Sequence, residues 1–116
     1  MSDVKEIKKV IQDYIDGGIA GKFEIMKSAF HQKATMYYIV DGELQGGPIQ
    51  GLFDAVDNRG PAADLTGDFA DINVNETTAT VRLELYNWSG ARYTDQLSLL
   101  KVQSEWKIIH KVYHEH

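Results

Sequence analysis

Apolar residues in the first part of the chain recur at three- and four-residue steps, the pattern of an amphipathic helix. This stripe lies between Asp3 and Gly17 and contains Val4, Ile7, Val10, Ile11, Tyr14 and Ile15. Ser2 or Asp3 stands where a helix cap is expected, and Gly17-Gly18 predicts the end of the helix because glycine tolerates positive φ. A second, shorter helix is predicted from one apolar face, formed by Phe23, Met26 and Phe30.

The middle of the chain predicts a β-hairpin followed by a third helix. The segment from Ala34 to Val40 is rich in aromatic and β-branched residues, and Asp41-Gly42 is a strong signal for a two-residue turn back toward Leu44. Pro48 suits the first turn of a helix. Helical spacing continues through Ile49, Leu52, Phe53 and Val56 until Asn58-Arg59-Gly60-Pro61.

After Pro61 the apolar residues follow a period of two, which predicts β-strands. The alternating positions are Ala70, Ile72 and Val74, then Ala79, Val81, Leu83 and Leu85. Turns are predicted at Asn75-Glu76-Thr77, Ser89-Gly90 and Ser104-Glu105, which separate three long strands: Thr78 to Trp88, Ala91 to Val102 and Trp106 to His114. The pattern therefore predicts an α+β fold with the helices first and an antiparallel sheet after them.

Composition narrows the classes of function. A chain of 116 residues suits one domain, expected over residues 1–116. The absence of cysteine excludes disulfides, thiolate catalysis and cysteine zinc sites. A formal charge of -5 disfavours nucleic acid and anionic lipid as partners. No apolar run approaches the roughly 20 residues of a membrane span, so a cytoplasmic location is expected.

Two stretches of sequence carry a family resemblance. One is Leu44-Gln45-Gly46-Gly47-Pro48-Ile49; the other is Tyr93 to Lys101 followed by Trp106 to His114. Together with the order of elements, they resemble the nuclear transport factor 2-like superfamily and, within it, the putative lumazine-binding branch, related to polyketide cyclases (SnoaL-like) and ketosteroid isomerases. The resemblance implies a cone-shaped fold of three helices on a curved, mainly antiparallel sheet, a small-molecule pocket, and a homodimer formed through the sheet.

A polar constellation follows from the predicted turns. If Ser104-Glu105 and Ser89-Gly90 are two-residue turns, Asp95 lies opposite both His114 and Glu84, and Tyr86 lies opposite Tyr93. His110 then shares this face, opposite Leu99. The candidate catalytic residues are thus Asp95, Glu84 and His114, whose titrations are expected to be coupled. The candidate ligand-binding residues on the same face are Tyr86, Tyr93 and His110. The alternative interpretation is an ion-pair cluster or a network at a dimer interface.

Four further residues are candidates for the lining of the expected pocket, and two histidines are excluded as ligands of one shared metal ion. Tyr14, Met36, Tyr38 and Phe53 are candidate ligand-binding residues where helices meet the sheet, although they suit an ordinary core equally well. His110 and His114 are four residues apart on one strand, about 13 Å, too far to share one metal ion. We therefore expect no metal and no cofactor.

Three hypotheses for the function remain open. The first is a homodimeric binder of an unidentified small molecule. The second is an isomerase, cyclase or dehydratase in which a pocket carboxylate or histidine moves a proton next to a carbonyl. The third is an interaction or accessory module whose sheet face packs on a partner. The sequence does not separate the first two, because the fold alone does not specify a function.

Overall fold

The computed structural model describes residues 2–116 and contains three helices packed on one six-stranded sheet. The predicted α+β fold class is confirmed. The elements in chain order are α1 (Asp3–Ala20), α2 (Phe23–Met26) with a following 3-10 turn (Lys27–Ala29), β1 (Phe30–Val40), β2 (Glu43–Pro48), α3 (Gln50–Arg59), β3 (Thr66–Asn75), β4 (Thr78–Trp88), β5 (Ala91–Val102) and β6 (Glu105–Glu115).

The first helix begins where it was predicted but ends later. Ser2 caps it, its Oγ accepting a hydrogen bond from the Lys5 amide at 3.2 Å. Gly17 and Gly18 lie inside the helix, which continues to Ala20 and ends at Gly21 with φ 68°. A Cβ on Gly17 would lie 2.4 Å from the Cβ of Met26. This glycine therefore allows close contact between α1 and α2 and does not end the helix, so the predicted end was wrong.

The second and third helices also differ from the prediction at their ends. Phe30 was assigned to the second helix but is the first residue of β1. Pro48 is the last residue of β2, and α3 begins at Gln50, after Ile49 as its N-cap residue. The helix ends at Arg59 followed by Gly60 with φ 77°, as the sequence predicted.

The strand order in the sheet is β2-β1-β6-β5-β4-β3. All neighbouring strands are antiparallel except β1 and β6, which are parallel. The predicted Asp41-Gly42 hairpin is confirmed, with Val40 opposite Glu43. One face of the sheet packs on the helices; we call it the inner face. The β4 residues on it are Ala79, Val81, Leu83, Leu85 and Trp88, all buried.

The predicted register of the last two hairpins was wrong. In β4 an extra residue at Tyr86-Asn87, where Asn87 has φ 62°, shifts the pairing so that Asp95 lies opposite Leu83. The turn between β5 and β6 is Gln103-Ser104, not Ser104-Glu105, and Asp95 lies opposite Tyr113. Because a shift of one residue moves a side chain to the other face, the predicted pairs of Asp95 with Glu84 and with His114 do not form.

Candidate functional site

A charged side chain from each of two neighbouring strands lies on the inner face of the sheet. Asp95 alternates with Tyr93 and Leu97 along β5, so its inward direction follows from the strand period. In β6, Ser98 pairs with His110 and Leu99 pairs with Ile108, which leaves Ile109 as an extra residue. This bulge reverses the alternation and turns Lys111 inward, opposite Leu97.

Tyr14 of α1 completes a buried polar cluster with Asp95 and Lys111. The Tyr14 hydroxyl donates to Asp95 Oδ2 at 2.7 Å, and Lys111 Nζ donates to the Tyr14 oxygen at 2.6 Å. Lys111 Nζ lies 3.7 Å from Asp95 Oδ2, with side-chain exposures of 5% and 1%. Asp95 Oδ1 is buried, and no group within residues 2–116 donates a hydrogen bond to it. A fully ionised carboxylate normally accepts several hydrogen bonds, so this arrangement leaves Asp95 incompletely satisfied.

Burial changes the proton affinities within the cluster. Removal from water raises the pKa of Asp95, although Lys111 and the Tyr14 hydroxyl oppose that rise. Burial also lowers the pKa of Lys111, with Asp95 opposing the change. In water the two groups differ by about 6.5 pKa units, or about 9 kcal/mol in favour of the ion pair. Both shifts reduce this difference, so the uncharged pair is closer in energy to the ion pair than it is in water.

Aromatic rings surround the lysine nitrogen. Lys111 Nζ lies 5.0 Å from the ring centre of Tyr14, 5.6 Å from that of Trp88 and 5.1 Å from that of Tyr113. The face of each ring attracts a positive charge by about 0.5–2 kcal/mol. A cation at this position is therefore stabilised without being exposed to water.

Lys111 lies in the wall of a cavity between α3 and the inner face of the sheet. The cavity has a volume of about 130 Å³ and is lined by Met36, Tyr38, Gly51, Leu52, Ala55, Arg59, Trp88, Tyr93, Lys111 and Tyr113. The rings of Tyr38 and Tyr113 stack with centres 4.7 Å apart. A shallow groove along β2 shares Met36, Tyr38 and Gly51 with the cavity. The cavity thus combines aromatic walls with a few polar groups, the usual composition of a small-molecule site.

The charged groups that line this cavity are both positive. Arg59, at the end of α3, places Nη1 3.4 Å from the Tyr93 hydroxyl, and this contact raises the pKa of Arg59. Lys111 is the second cation. Among the described residues that line the cavity there is no carboxylate, since Asp95 lies behind Lys111. The cavity is therefore electrostatically suited to a neutral or anionic ligand although the whole chain is acidic.

Three of the predicted ligand-binding residues, Met36, Tyr38 and Tyr93, line the cavity. Tyr14 is fully buried behind it and contacts Lys111. Phe53 lies in the apolar core, with its ring centre 5.7 Å from that of Phe30. The structure therefore places Tyr93 and Asp95 on the inner face of β5 and brings Tyr14 of α1 against Asp95, and their roles with a ligand stay predictions.

Four other candidates, Glu84, Tyr86, His110 and His114, lie on the opposite, outer face of the sheet. Glu84 lies opposite Thr94 and accepts hydrogen bonds from Thr94 and Arg92. The Thr94 hydroxyl is the main cause that lowers the pKa of Glu84. Arg92 stacks on Tyr86 at 4.3 Å. The prediction that these residues form one site with Asp95 and Tyr93 was therefore wrong, because the residues lie on two faces of the sheet.

His110 and His114 belong to this outer face as well. His110 Nδ1 lies 2.8 Å from Thr35 Oγ1, and the His114 ring lies 4.8 Å from that of His116. Neither histidine reaches Asp95, because residues 110 and 114 of β6 pair with Ser98 and Thr94, whose side chains also lie on the outer face. Across residues 2–116, no group of three or more His, Asp or Glu side chains is placed to hold a metal ion. In the same range, no helix has the length and apolar character that crossing a membrane requires.

Lys111 and Arg59 were not predicted as site residues from the sequence. An unbroken alternation through Ile108 and Ile109 would place Lys111 on the face opposite to Asp95. Two adjacent isoleucines in an otherwise alternating strand are the signal that could have indicated the bulge. The position of Arg59 near the end of a predicted helix does not indicate whether its side chain lies over a cavity.

Comparisons with known proteins agree on the family. Residues 2–114 match the sequence pattern of the family described as putative lumazine-binding. A solved NTF2-like protein of unknown function from Shewanella baltica OS155 has 39% identity and a TM-score of 0.94, over 100% of this chain and 98% of the other. Another from Methylobacillus flagellatus KT has 34% identity and a TM-score of 0.93, over 98% and 92%. The expected nuclear transport factor 2-like fold is thereby confirmed.

One similar protein has a named activity. Aldolase FrzH from Cladobotryum sp is 32% identical over 104 residues, which is 89% of this chain and 83% of that protein.

Proposed function

We propose that this chain, which belongs to the putative lumazine-binding family, binds a small carbonyl compound and transfers a proton at the carbon next to that carbonyl. The site is the cavity between α3 and the inner face of the sheet. This proposal makes the chain an enzyme, and it places the reacting group of the ligand against Lys111.

The observation that carries the proposal is the position of Lys111. Its side chain is part of the cavity lining, and its nitrogen contacts the Tyr14 hydroxyl and Asp95 Oδ2. Removal of a proton next to a carbonyl places negative charge on the carbonyl oxygen. A preorganised cation or hydrogen-bond donor in a site that excludes water stabilises such a charge by about 3–4 kcal/mol.

The named relative supports the same chemistry. Aldol reactions proceed through an enolate or an enamine, and both require loss of a proton next to a carbonyl. FrzH is named an aldolase, at 32% identity over most of this chain. Proton transfer next to a carbonyl is the step that an aldol reaction and the isomerase or cyclase reactions expected from the sequence have in common.

The remaining cavity lining indicates the kind of ligand. The stacked Tyr38 and Tyr113 rings, with Tyr93 and Trp88, suit a planar or aromatic group. Arg59 lies in the same wall and can form paired hydrogen bonds with a carboxylate. We therefore expect an anionic or polar carbonyl compound with a planar portion.

A second candidate function is ligand binding without chemistry. The aromatic walls favour it, since rings hold a heterocycle by stacking whether or not a reaction follows. In this case Lys111 would act only as a hydrogen-bond donor. The two candidates differ in whether ligand protons are exchanged.

Exchange of ligand protons with deuterated water tests the proposal. Acetone, propanal and pyruvate are incubated with wild-type protein, Lys111→Met and Lys33→Met in D2O, and proton loss next to each carbonyl is followed by NMR. Lys33 is an exposed lysine of β1 and is the matched control. We expect exchange above buffer for at least one probe, unchanged in Lys33→Met and lowered about 100- to 1,000-fold in Lys111→Met. Binding without exchange would support the second candidate, and equal rates in Lys111→Met would refute the role of Lys111.

We also propose that the chain forms a homodimer through the outer face of the sheet. Large apolar side chains are exposed there on β6, β1 and β2, with Val112 37%, Ile39 62% and Leu44 68% exposed. These side chains, with Tyr37, border one shallow groove. Apolar patches of this kind are typical of surfaces that bind another protein.

A further inference from the structure

We propose that Lys111 is an amine nucleophile that forms an imine with an aldehyde or ketone, and that Tyr14 and Asp95 form a relay that takes the amine's proton. This inference deepens the proposed function by naming how the carbonyl is activated. Lys111 would be the catalytic residue, while Tyr14 and Asp95 would be positioning and proton-holding residues that do not contact the substrate.

The two hydrogen bonds of the cluster can form in both charge states of Asp95 and Lys111. In the ion pair, Lys111 Nζ donates to Tyr14 at 2.6 Å and Tyr14 donates to Asp95 Oδ2 at 2.7 Å. If one proton moves along each bond, protonated Asp95 donates to Tyr14 and Tyr14 donates to a neutral amine. Each hydrogen bond then joins the same two heavy atoms and reverses its direction.

In the part of the chain that the structure describes, no group donates a hydrogen bond to the buried Oδ1 of Asp95. An unsatisfied oxygen costs more in a charged carboxylate than in a neutral carboxylic acid. The environment therefore favours proton uptake by Asp95, in agreement with the pKa shifts of Asp95 and Lys111.

The product of the reaction, a protonated imine, keeps a positive charge at the lysine nitrogen. The rings of Tyr14, Trp88 and Tyr113, with centres 5.0–5.6 Å from Nζ, stabilise that charge, and Asp95 is again available as its counter-ion. The cluster thus suits both the free amine that attacks and the cation that results.

The reaction balances without an added co-reactant. The amine breaks its hydrogen bond with Tyr14, its lone pair attacks the carbonyl carbon to form the C–N bond, and the C=O π electrons move to the oxygen. A proton from the new ammonium nitrogen passes to this oxygen and gives a carbinolamine. The proton that Asp95 held returns through Tyr14 and the nitrogen to the same oxygen, the C–O bond breaks and water leaves. Of the three protons of the original ammonium, one stays on the iminium nitrogen and two leave in the water, while Asp95 ends ionised as it began. The released water then takes a proton from the adjacent carbon, the C–H electron pair forms the C=C bond of an enamine, and the C=N π pair returns to nitrogen.

Several ionisable groups surround Lys111 and bear on its pH dependence. They are Tyr14 of α1, Tyr38 of β1, Arg59 of α3, Asp95 and Tyr93 of β5, and Tyr113 of β6. Burial raises the pKa of Tyr14 and of Tyr113, so these two hydroxyls are neutral at physiological pH. Asp95 and Arg59 are therefore the charges that matter, and Arg59 contributes to lowering the pKa of Lys111.

Reductive trapping tests the imine directly. Wild-type protein, Lys111→Met, Lys111→Arg and the Lys33→Met control are incubated with propanal, acetone or pyruvate and sodium cyanoborohydride, then analysed by intact mass and peptide mapping. We expect one adduct, on Lys111, formed at least about tenfold faster than on any exposed lysine; a tenfold ratio is 1.4 kcal/mol. Both Lys111 variants should lose it. Adducts spread evenly over exposed lysines, or no adduct on Lys111, would overturn the inference.

A pH profile tests the relay. The internal proton shift leaves the total number of protons on the cluster unchanged, so the trapping rate in wild-type protein should depend little on pH between 6 and 8. In Asp95→Asn the ammonium must release its proton to solvent. The ratio of the Asp95→Asn rate to the wild-type rate should then rise about tenfold per pH unit below the midpoint of the variant. A ratio that stays constant with pH would overturn the relay.

The two tests separate this inference from the proposed function. Proton exchange that depends on Lys111 without any trapped adduct would leave the function standing with Lys111 as an enolate-stabilising cation, and would overturn the imine. A trapped adduct without exchange would support the imine and overturn the proposed proton transfer.

Discussion

The energetic coupling between Asp95 and Lys111 gives the sharpest test of the cluster. Asp95→Leu leaves a buried ammonium, and Lys111→Met leaves a buried carboxylate. The side chains are 1% and 5% exposed, so neither remaining charge is well solvated. Removal of one partner of a buried pair costs about 3–5 kcal/mol. We expect each single variant to lose about 3 kcal/mol, the lower end of this range, because Lys111 borders the cavity and its surroundings have room to rearrange.

The double variant should be much closer to wild type. Replacing both partners by apolar residues of similar volume is often neutral or stabilising, while the Tyr14 hydroxyl loses its partners at a cost of about 1–3 kcal/mol. The free energy of unfolding of the double variant should therefore lie within about 2 kcal/mol of wild type. The singles together predict a loss of about 6 kcal/mol, so the coupling energy should be about 4 kcal/mol or more.

Urea unfolding followed by circular dichroism measures all four proteins at pH 7. With a slope of about 1–3 kcal/mol per molar urea, a loss of 3 kcal/mol moves the midpoint by about 1–3 M. If a single variant is too unstable to measure, Asp95→Asn serves as the milder replacement, since it keeps a hydrogen-bonding group next to Tyr14. Additive losses, with the double variant about 6 kcal/mol below wild type, would refute the view that these residues form one electrostatic unit.

The pH dependence of Lys111→Met follows from the same geometry. Burial already raises the pKa of Asp95 in the folded protein, and Lys111 is the main group that opposes this. Without Lys111 the folded pKa rises further above the unfolded value of about 3.9. Protonated Asp95 then favours the folded state, so Lys111→Met should be closest to wild type at low pH and lose stability as pH rises through the folded pKa, by up to about 1.4 kcal/mol per unit.

Two further predictions concern packing and assembly. Gly17→Ala should lower the free energy of unfolding by about 1–3 kcal/mol despite the higher helix propensity of alanine, because its Cβ would lie 2.4 Å from that of Met26. In the control Gly51→Ala the added Cβ meets nothing within 4 Å. This control should gain about 0.5–1 kcal/mol in the same urea assay. Val112→Glu should convert the proposed homodimer to a 13.1 kDa monomer in light scattering, whereas Val74→Glu, at a similarly exposed valine of β3, should not. Equal loss of stability in both glycine variants, or a monomeric wild type, would contradict these expectations.

The sequence predicted the order of elements well because periodicity is a local property. The stripe of Ile7, Ile11 and Tyr14 is buried, as a three- and four-residue repeat requires, and the alternation in β4 separates buried from exposed residues. The Asp41-Gly42 turn formed as predicted, since positive φ at both positions suits a two-residue hairpin. The parallel pairing of β1 with β6 depends on contacts between distant segments and could not be predicted from either strand alone.

The candidate site was predicted less well because it depends on register. The prediction that Asp95 shares one face of its strand with Tyr93, Leu97 and Leu99 is confirmed, because alternate residues of a strand lie on the same face. Its partners were wrong because two extra residues, one near Asn87 and one at Ile109, each exchange the faces of the residues beyond them. A bulge depends on sheet curvature and on packing against the helices, which a single sequence does not display.

Stability does not explain why Asp95 and Lys111 occupy the core. Their neighbours along the strands and across the sheet are apolar, as Leu83 and Leu97 show, and a leucine and a methionine would fill the same space. Buried ion pairs generally contribute no more stability than such replacements. Yet the cluster lies where the inner face borders the cavity, with Lys111 in its wall and Asp95 behind. If the double variant folds as stably as wild type but neither exchanges ligand protons nor forms an adduct, chemistry at the lysine nitrogen becomes the reason for these two charges.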